Sequence, residues 1–159
     1  KISVLLRFEK GVFWDMNEEQ TSKRKTWDEY FMSIAKNVAT RANCDRLHVG
    51  CVIVKGKKIL STGYNGSISG SDHCDDIGHL YNSEDRCIRT VHAEQNAILH
   101  TSEKLTGATA YVTHYPCENC AKLLVQSGVV RVVYANKYKN EYSDFFLNMI
   151  ETTYLEDVH

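Results

Sequence analysis

A single proline, Pro116, stands in 159 residues. No tract is of low complexity and no segment repeats, so the chain reads as globular rather than as a linker or an array. No apolar run approaches about 18 residues, so no transmembrane helix is expected. Neither charge sign is in excess: 19 Lys and Arg against 20 Asp and Glu leave a net charge of −1. That excludes the overall basic surplus of a protein held mainly by nucleic-acid phosphates, while leaving room for a local basic pocket. The apolar patch Ile2, Val4, Leu5 and Leu6 is cut off by Arg7, Glu9 and Lys10, which makes it too short for the core of a secretory leader.

What is present is an ordinary globular composition, 43% apolar and 25% charged, of a size that suits one domain. Residues 1–25 read as an N-terminal extension, either non-native or, over 1–15, upstream of a working start at Met16. Residues 26–159 read as the single domain. Six cysteines, Cys44, Cys51, Cys74, Cys87, Cys117 and Cys120, could form three disulfides, but a chain without a leader and with enough residues for a core does not need them. With Cys117 and Cys120 in a C-x-x-C pair and seven histidines in the chain, metal binding in a reducing compartment is the better reading.

Periodicity gives the elements. Thr26-Trp27-Asp28-Glu29 is a capping box, and Trp27, Tyr30, Phe31, Ile34, Ala35, Val38 and Ala42 recur at helical spacing, predicting a helix over 27–43. A hairpin is expected over 49–55 and 58–63, joined by a Lys-Gly-Lys turn. The glycine-punctuated stretch 63–90 is a long loop, of the kind that is functional or clamped by metal. Then follow a buried helix over 92–101, a strand over 108–114, a helix over 117–126 with Gly128 at its end, a strand over 129–134, a helix over 143–150 and a weak last strand. A hairpin followed by β-α-β units makes an α/β fold: a central mixed sheet covered by helices.

Two segments carry chemistry, His92-Ala93-Glu94 and Pro116-Cys117-Glu118-Asn119-Cys120, each where a strand or loop enters a helix. The i, i+3 spacing puts both sulfurs on one face of a first helical turn, where the helix end favours thiolates. His92, Cys117 and Cys120 suit a catalytic zinc with a fourth position left for water. Pro116 suits the start of a helix, where its missing N–H is not needed. Glu94 stands near the metal without ligating it, placed to take a proton from the water, pass it to a substrate ring nitrogen and later protonate departing ammonia. A closed structural zinc site would need a fourth protein ligand and would leave Glu94 without a role. The pattern H-x-E…P-C-x-x-C is the signature of zinc nucleobase deaminases.

From Thr26 to about Tyr142 the chain resembles the deoxycytidylate (dCMP) deaminase family. The resemblance rests on the W-D-E-Y-F-M start at Trp27, the G-Y-N-G-S loop at Gly63, H-A-E-Q-N-A-I at His92 and Y-V-T-H-Y-P-C at Tyr111. It implies a three-layer cytidine-deaminase-like fold with a central mixed five-stranded sheet. It further implies hydrolytic deamination of dCMP to dUMP and ammonia, feeding thymidylate synthesis, with activity on dCTP as an extension. Zinc is then held by His92, Cys117 and Cys120, with Glu94 as the proton shuttle. Asn65 is expected to bond the sugar or to hold the loop against it. Arg46, Tyr138 and Lys137 are candidates for the 5′-phosphate.

Some members of the family carry a second metal in the loop, for which Cys44, Cys74, Cys87 and His79 are the ligands expected here. His79 is preferred over His73, which adjoins Cys74, and Cys51 reads as core. The resemblance also implies a cytoplasmic homohexamer with dCTP and dTTP as effectors. No membrane or nucleic-acid partner is expected. The competing readings are a zinc deaminase of tRNA adenosine, cytidine or guanine, and a non-catalytic zinc-binding module.

Overall fold

In the computed structural model, which describes residues 24–138 and 140–156, helix α1 (Trp27–Ala39) starts at the capping box. Thr26 Oγ1 accepts from the Glu29 N–H at 3.1 Å, and Glu29 Oε1 accepts from the Thr26 N–H at 3.2 Å. The helix ends four residues earlier than its periodicity suggests. The Thr40 hydroxyl donates back to the Asn37 carbonyl, and the backbone tightens into i→i+3 turns through Ala42. A β-branched residue with a hydroxyl competes here with the helical ladder. The proposed extension and the start at Met16 lie outside the described residues, apart from Arg24 and Lys25.

The sheet runs β2-β1-β5-β6-β7, with β1 (Gly50–Lys55), β2 (Lys58–Tyr64), β5 (Thr109–His114), β6 (Arg131–Asn136) and β7 (Glu151–Tyr154). β1 is antiparallel to both β2 and β5, whereas β5, β6 and β7 are mutually parallel. This is the expected mixed five-stranded sheet. The parallel pairs are joined by α4 (Glu118–Gln126) and α5 (Ser143–Leu147), and α3 (Ala93–Leu99) precedes β5.

Alternation divides the sheet into two cores. Cys51, Ile53, Ala110, Val112 and Val132 face α3, α4 and α5 and pack with Ala97, Ala121, Leu124 and Leu147. Val52, Val54, Tyr111, Val133 and Ala135 face α1 and pack with Phe31, Met32 and Ala35. Burial on both faces explains why β1 reads as a continuous apolar run. Cys51 is fully buried, as core. Gly63 has no room for a side chain: a Cβ would lie 2.3 Å from the Ala93 carbonyl oxygen and 2.4 Å from the Ala97 nitrogen. That close approach seats α3 directly on β2.

The stretch expected as pure loop contains a two-residue ribbon, β3 (Gly66–Ser67) against β4 (Thr90–Val91), and one short helix, α2 (Cys74–Ile77). Elements of two to four residues are too short for periodicity to reveal. Among the described residues, no helix is long and apolar enough to cross a membrane.

Candidate active site

His92 and Cys117 occupy the same local position on different elements: each is the N-cap residue, with extended backbone, of the helix that follows it. Cys120 lies in the first turn of α4. Parallel strands and their helices place such N-termini along one edge of a sheet, so the three side chains meet. His92 Nδ1 is 3.5 Å from Cys117 Sγ and 3.4 Å from Cys120 Sγ. Tetrahedral zinc with bonds of about 2.0–2.1 Å to nitrogen and about 2.3 Å to sulfur separates a nitrogen ligand from a sulfur ligand by roughly 3.6 Å, so the donor set fits that ion. Three donors, with His92 and Cys117 facing a cavity, leave a fourth position open, as a catalytic zinc site requires.

The donors are electrostatically prepared. The Cys117 thiol is brought down to about 3, first by the hydrogen bond from Cys120 and then by His92, against the effect of burial. Cys120 is pushed up by the same contact and by burial. The hydrogen bond to Cys117 raises His92 above the usual imidazole range against burial. Glu94, 4% exposed, also faces the cavity. Burial raises its carboxyl above the usual range, against the opposing pull of Cys120 and His92. A carboxyl so raised can both accept and return a proton.

The surroundings hold these groups in place. The His92 N–H donates to Gln95 Oε1 at 2.9 Å, and the Ser61 hydroxyl donates to the Ala97 carbonyl at 2.6 Å, tying α3 to β2. The fully buried Ser143 donates to the Pro116 carbonyl at 2.7 Å, and the Tyr115 hydroxyl donates to Asp144. Both bonds pin the start of the C-x-x-C turn to α5.

A second group gathers Cys44, Cys74, His79 and Cys87, with all four donor atoms within 4.8 Å of one another. Cys44 Sγ lies 3.6 Å from His79 Nδ1, and Cys74 Sγ lies 3.6 Å from Cys87 Sγ. The other ring nitrogen of His79, Nε2, is 3.0 Å from Asp45 Oδ1, which orients the ring as outer carboxylates do at metal-binding histidines. Burial raises Cys74 to about 12. Cys87 falls to about 6, because the Arg89 and Leu80 backbone, His79 and Cys74 outweigh burial. Four ligands make a closed set, which suits a structural zinc. His73 stays outside it, 3.7 Å from Asp76. All six cysteines are unpaired.

The cavity of about 390 Å³ is lined by members of both groups, Cys44 and Cys87 of the second and His92 and Cys117 of the first, together with Glu94. Arg46, Asn65 and Tyr138 line it; Lys137 does not, its Nζ lying 4.7 Å from the centre of the Tyr154 ring. Asn65 holds the 47–49 segment: its Oδ1 accepts from the Val49 N–H and its Nδ2 donates to the Leu47 carbonyl, both at 2.7 Å. Sequence reasoning missed Arg86, His114 and Tyr115, which also line the cavity. His114 and Tyr115 immediately precede Pro116, at the mouth of a parallel strand, and that position was the available signal.

Residues 25–136 match the family described as the cytidine and deoxycytidylate deaminase zinc-binding region. The chain is 48% identical over 120 residues to ComE operon protein 2 of Bacillus subtilis, a match that covers 74% of this chain and 63% of that protein. It is 42% identical over 123 residues to the deoxycytidylate deaminase of Mycobacterium phage D29, covering 70% of this chain and 95% of the phage protein. The crystal structure of dCMP deaminase from cyanophage S-TIM5 in complex with dCMP and dUMP superimposes with a TM-score of 0.70 at 31% identity. That match covers 80% of this chain and 95% of that one.

Proposed function

This chain belongs to the cytidine and deoxycytidylate deaminase zinc-binding family, and on that footing we propose that it hydrolyses dCMP to dUMP and ammonia. The observation that carries the reading is the buried carboxyl of Glu94 beside three metal donors on a cavity wall. A purely structural site has no use for it.

His92, Cys117 and Cys120 would hold the zinc. When bound, that ion supplies the Lewis acidity that brings the pKa of water to about 7. Glu94 would take a proton from the attacking water on its carboxylate and give it to the cytosine ring nitrogen as a C–O bond forms at C4. It would then take the proton of the new C4 hydroxyl and give it to the amine as the C4–N bond breaks and the C4=O bond forms. Water and dCMP are consumed, dUMP and ammonia are formed, and Glu94 ends as it began. Its raised affinity for protons suits both directions of transfer.

The positions of Arg46 and Tyr138 in the cavity wall support them as phosphate contacts, whereas Lys137 is turned onto Tyr154. Asn65 supports the sugar side of the cavity through its hold on residues 47–49. Cys44, Cys74, His79 and Cys87 are proposed to hold a second, structural zinc. Activity on dCTP, regulation by dCTP and dTTP, and a hexameric assembly extend the proposal through the family resemblance. A cytoplasmic setting is supported by six unpaired cysteines.

The test is ammonia release by the zinc-loaded protein on dCMP, dCTP, deoxycytidine and cytidine in parallel. Preference for dCMP is the expected result. No release from any of the four, with zinc bound, would overturn the reading.

A further inference from the structure

Several charged side chains around the cavity already have partners. Arg46 donates through Nη1 to the Asp85 carbonyl at 3.0 Å and lies over the Tyr81 ring. Arg89 donates through Nε to the Gly78 carbonyl at 3.1 Å. Arg86 differs: its side chain is exposed and lines the cavity. Among the described residues, nothing forms an ion pair or hydrogen bond with its guanidinium.

The backbone that carries Arg86 is firmly held. Asn82 Oδ1 accepts from the N–H groups of both Glu84 and Arg86 at 3.0 Å, and the Asn82 N–H donates to the Arg86 carbonyl at 3.0 Å. Asp85 closes the turn in the left-handed region, at φ 58°, an uncommon conformation that Asp tolerates better than most residues. Arg46 braces the turn through the Asp85 carbonyl, and the next residue is Cys87, a member of the four-ligand group. The outcome is a cation on a fixed base, lining the same cavity as His92 and Cys117.

The balance of charge points the same way. Among the described residues, Glu94 is the sole carboxylate lining the cavity, and it is buried beside the metal donors, whereas Arg46 and Arg86 are exposed. A guanidinium without a carboxylate partner breaks no ion pair when it takes an anion, and its planar fork matches two phosphate oxygens. We infer that Arg86 is the residue by which this cavity selects a 5′-phosphorylated nucleotide over the corresponding nucleoside. Its guanidinium takes the phosphate, while Arg46, with Nη1 bonded to the Asp85 carbonyl, steadies the turn and keeps the rest of its fork as a second phosphate contact. This inference rests on the deaminase reading above and adds a specificity determinant to it.

The experiment compares the full-length, zinc-loaded protein with Arg86→Ala and Arg86→Lys. Each is assayed for turnover of dCMP and deoxycytidine, and for equilibrium binding of dUMP and deoxyuridine by calorimetry. Arg86→Ala is expected to raise KM for dCMP and weaken dUMP binding roughly ten- to a hundred-fold, the usual range for a lost charge-assisted contact. Values for kcat, deoxycytidine turnover and deoxyuridine binding should stay within about threefold, and Arg86→Lys should recover part of the loss. Equal losses on nucleotide and nucleoside, or no loss on either, would overturn the assignment of Arg86 and leave the deaminase reading standing. A wild-type protein that releases no ammonia from dCMP would overturn both.

Discussion

Asp28 and Arg131 form a two-pronged ion pair between the first turn of α1 and the first residue of β6. Asp28 Oδ1 accepts from Nη1 at 2.9 Å, and Oδ2 accepts from Nη2 at 2.7 Å. The Tyr111 hydroxyl donates to the same carboxylate at 2.7 Å, and Arg131 also donates to Thr153 at 3.1 Å. The carboxylate thus ties α1 to β5 and β6, and Arg131 extends the link to Thr153 of β7.

The pair gives stability a defined pH dependence. The hydrogen bonds from Arg131 hold Asp28 below the usual carboxylate range, against burial, with Tyr111 adding to the effect. Because the folded pKa lies below the unfolded value of about 3.9, the contribution is complete well above that value. It is lost as pH falls through the folded pKa. Asp28→Asn should cost about 1–3 kcal/mol at neutral pH. The gap between its urea midpoint and that of the wild type should narrow as pH drops from 7 towards 3. A gap that stays constant over that range would contradict the pairing as the source.

Glu94→Gln keeps the shape of the side chain and removes the base. Turnover of dCMP should fall by about 10²–10⁴-fold, with zinc content and thermal midpoint close to those of the wild type. Retained turnover in a variant with full zinc content would remove Glu94 from the chemistry.

Metal analysis of the purified chain should find about two zinc ions, one for each donor group. Cys117→Ala should lose the ion nearest Glu94 along with activity, and Cys74→Ala should lose the other. Asp45→Asn, which frees His79 Nε2 from its carboxylate, should weaken the second site about 10–100-fold. Competitive chelator titration reads that change. A single zinc ion, unaffected by Cys74→Ala, would limit metal binding to the first group.

Gly63→Ala tests how closely α3 sits on β2. The new Cβ would meet backbone atoms of α3 at 2.3–2.4 Å, which no rotamer change can relieve. Destabilisation of about 1–3 kcal/mol or more is expected, and activity should fall with it, because the displaced helix carries Glu94. A variant of wild-type stability would mean that the helix moves away at little cost.

Much of this protein was legible in one dimension. The capping box at Thr26, the β-branched apolar run of β1 and the i, i+3 spacing of Cys117 and Cys120 are local features, governed by backbone geometry within a few residues. They sufficed for the mixed five-stranded sheet and for the chemistry of the three metal donors. His79 could be preferred over His73 because adjacent residues rarely reach one ion together.

Tertiary structure decided what depends on distant segments meeting. Arg86 is one of many charged residues in a polar loop until Cys87 and the bond from Arg46 to the Asp85 carbonyl bring that turn to the cavity. Lys137 looked equivalent to Tyr138 by position, yet it turns onto Tyr154 of the last strand. The sequence by itself determined which residues could ligate a metal and which segments could be strands or helices, because those properties are short-range. Only the folded sheet determined which cations face the substrate cavity, because that depends on contacts between residues far apart in the chain.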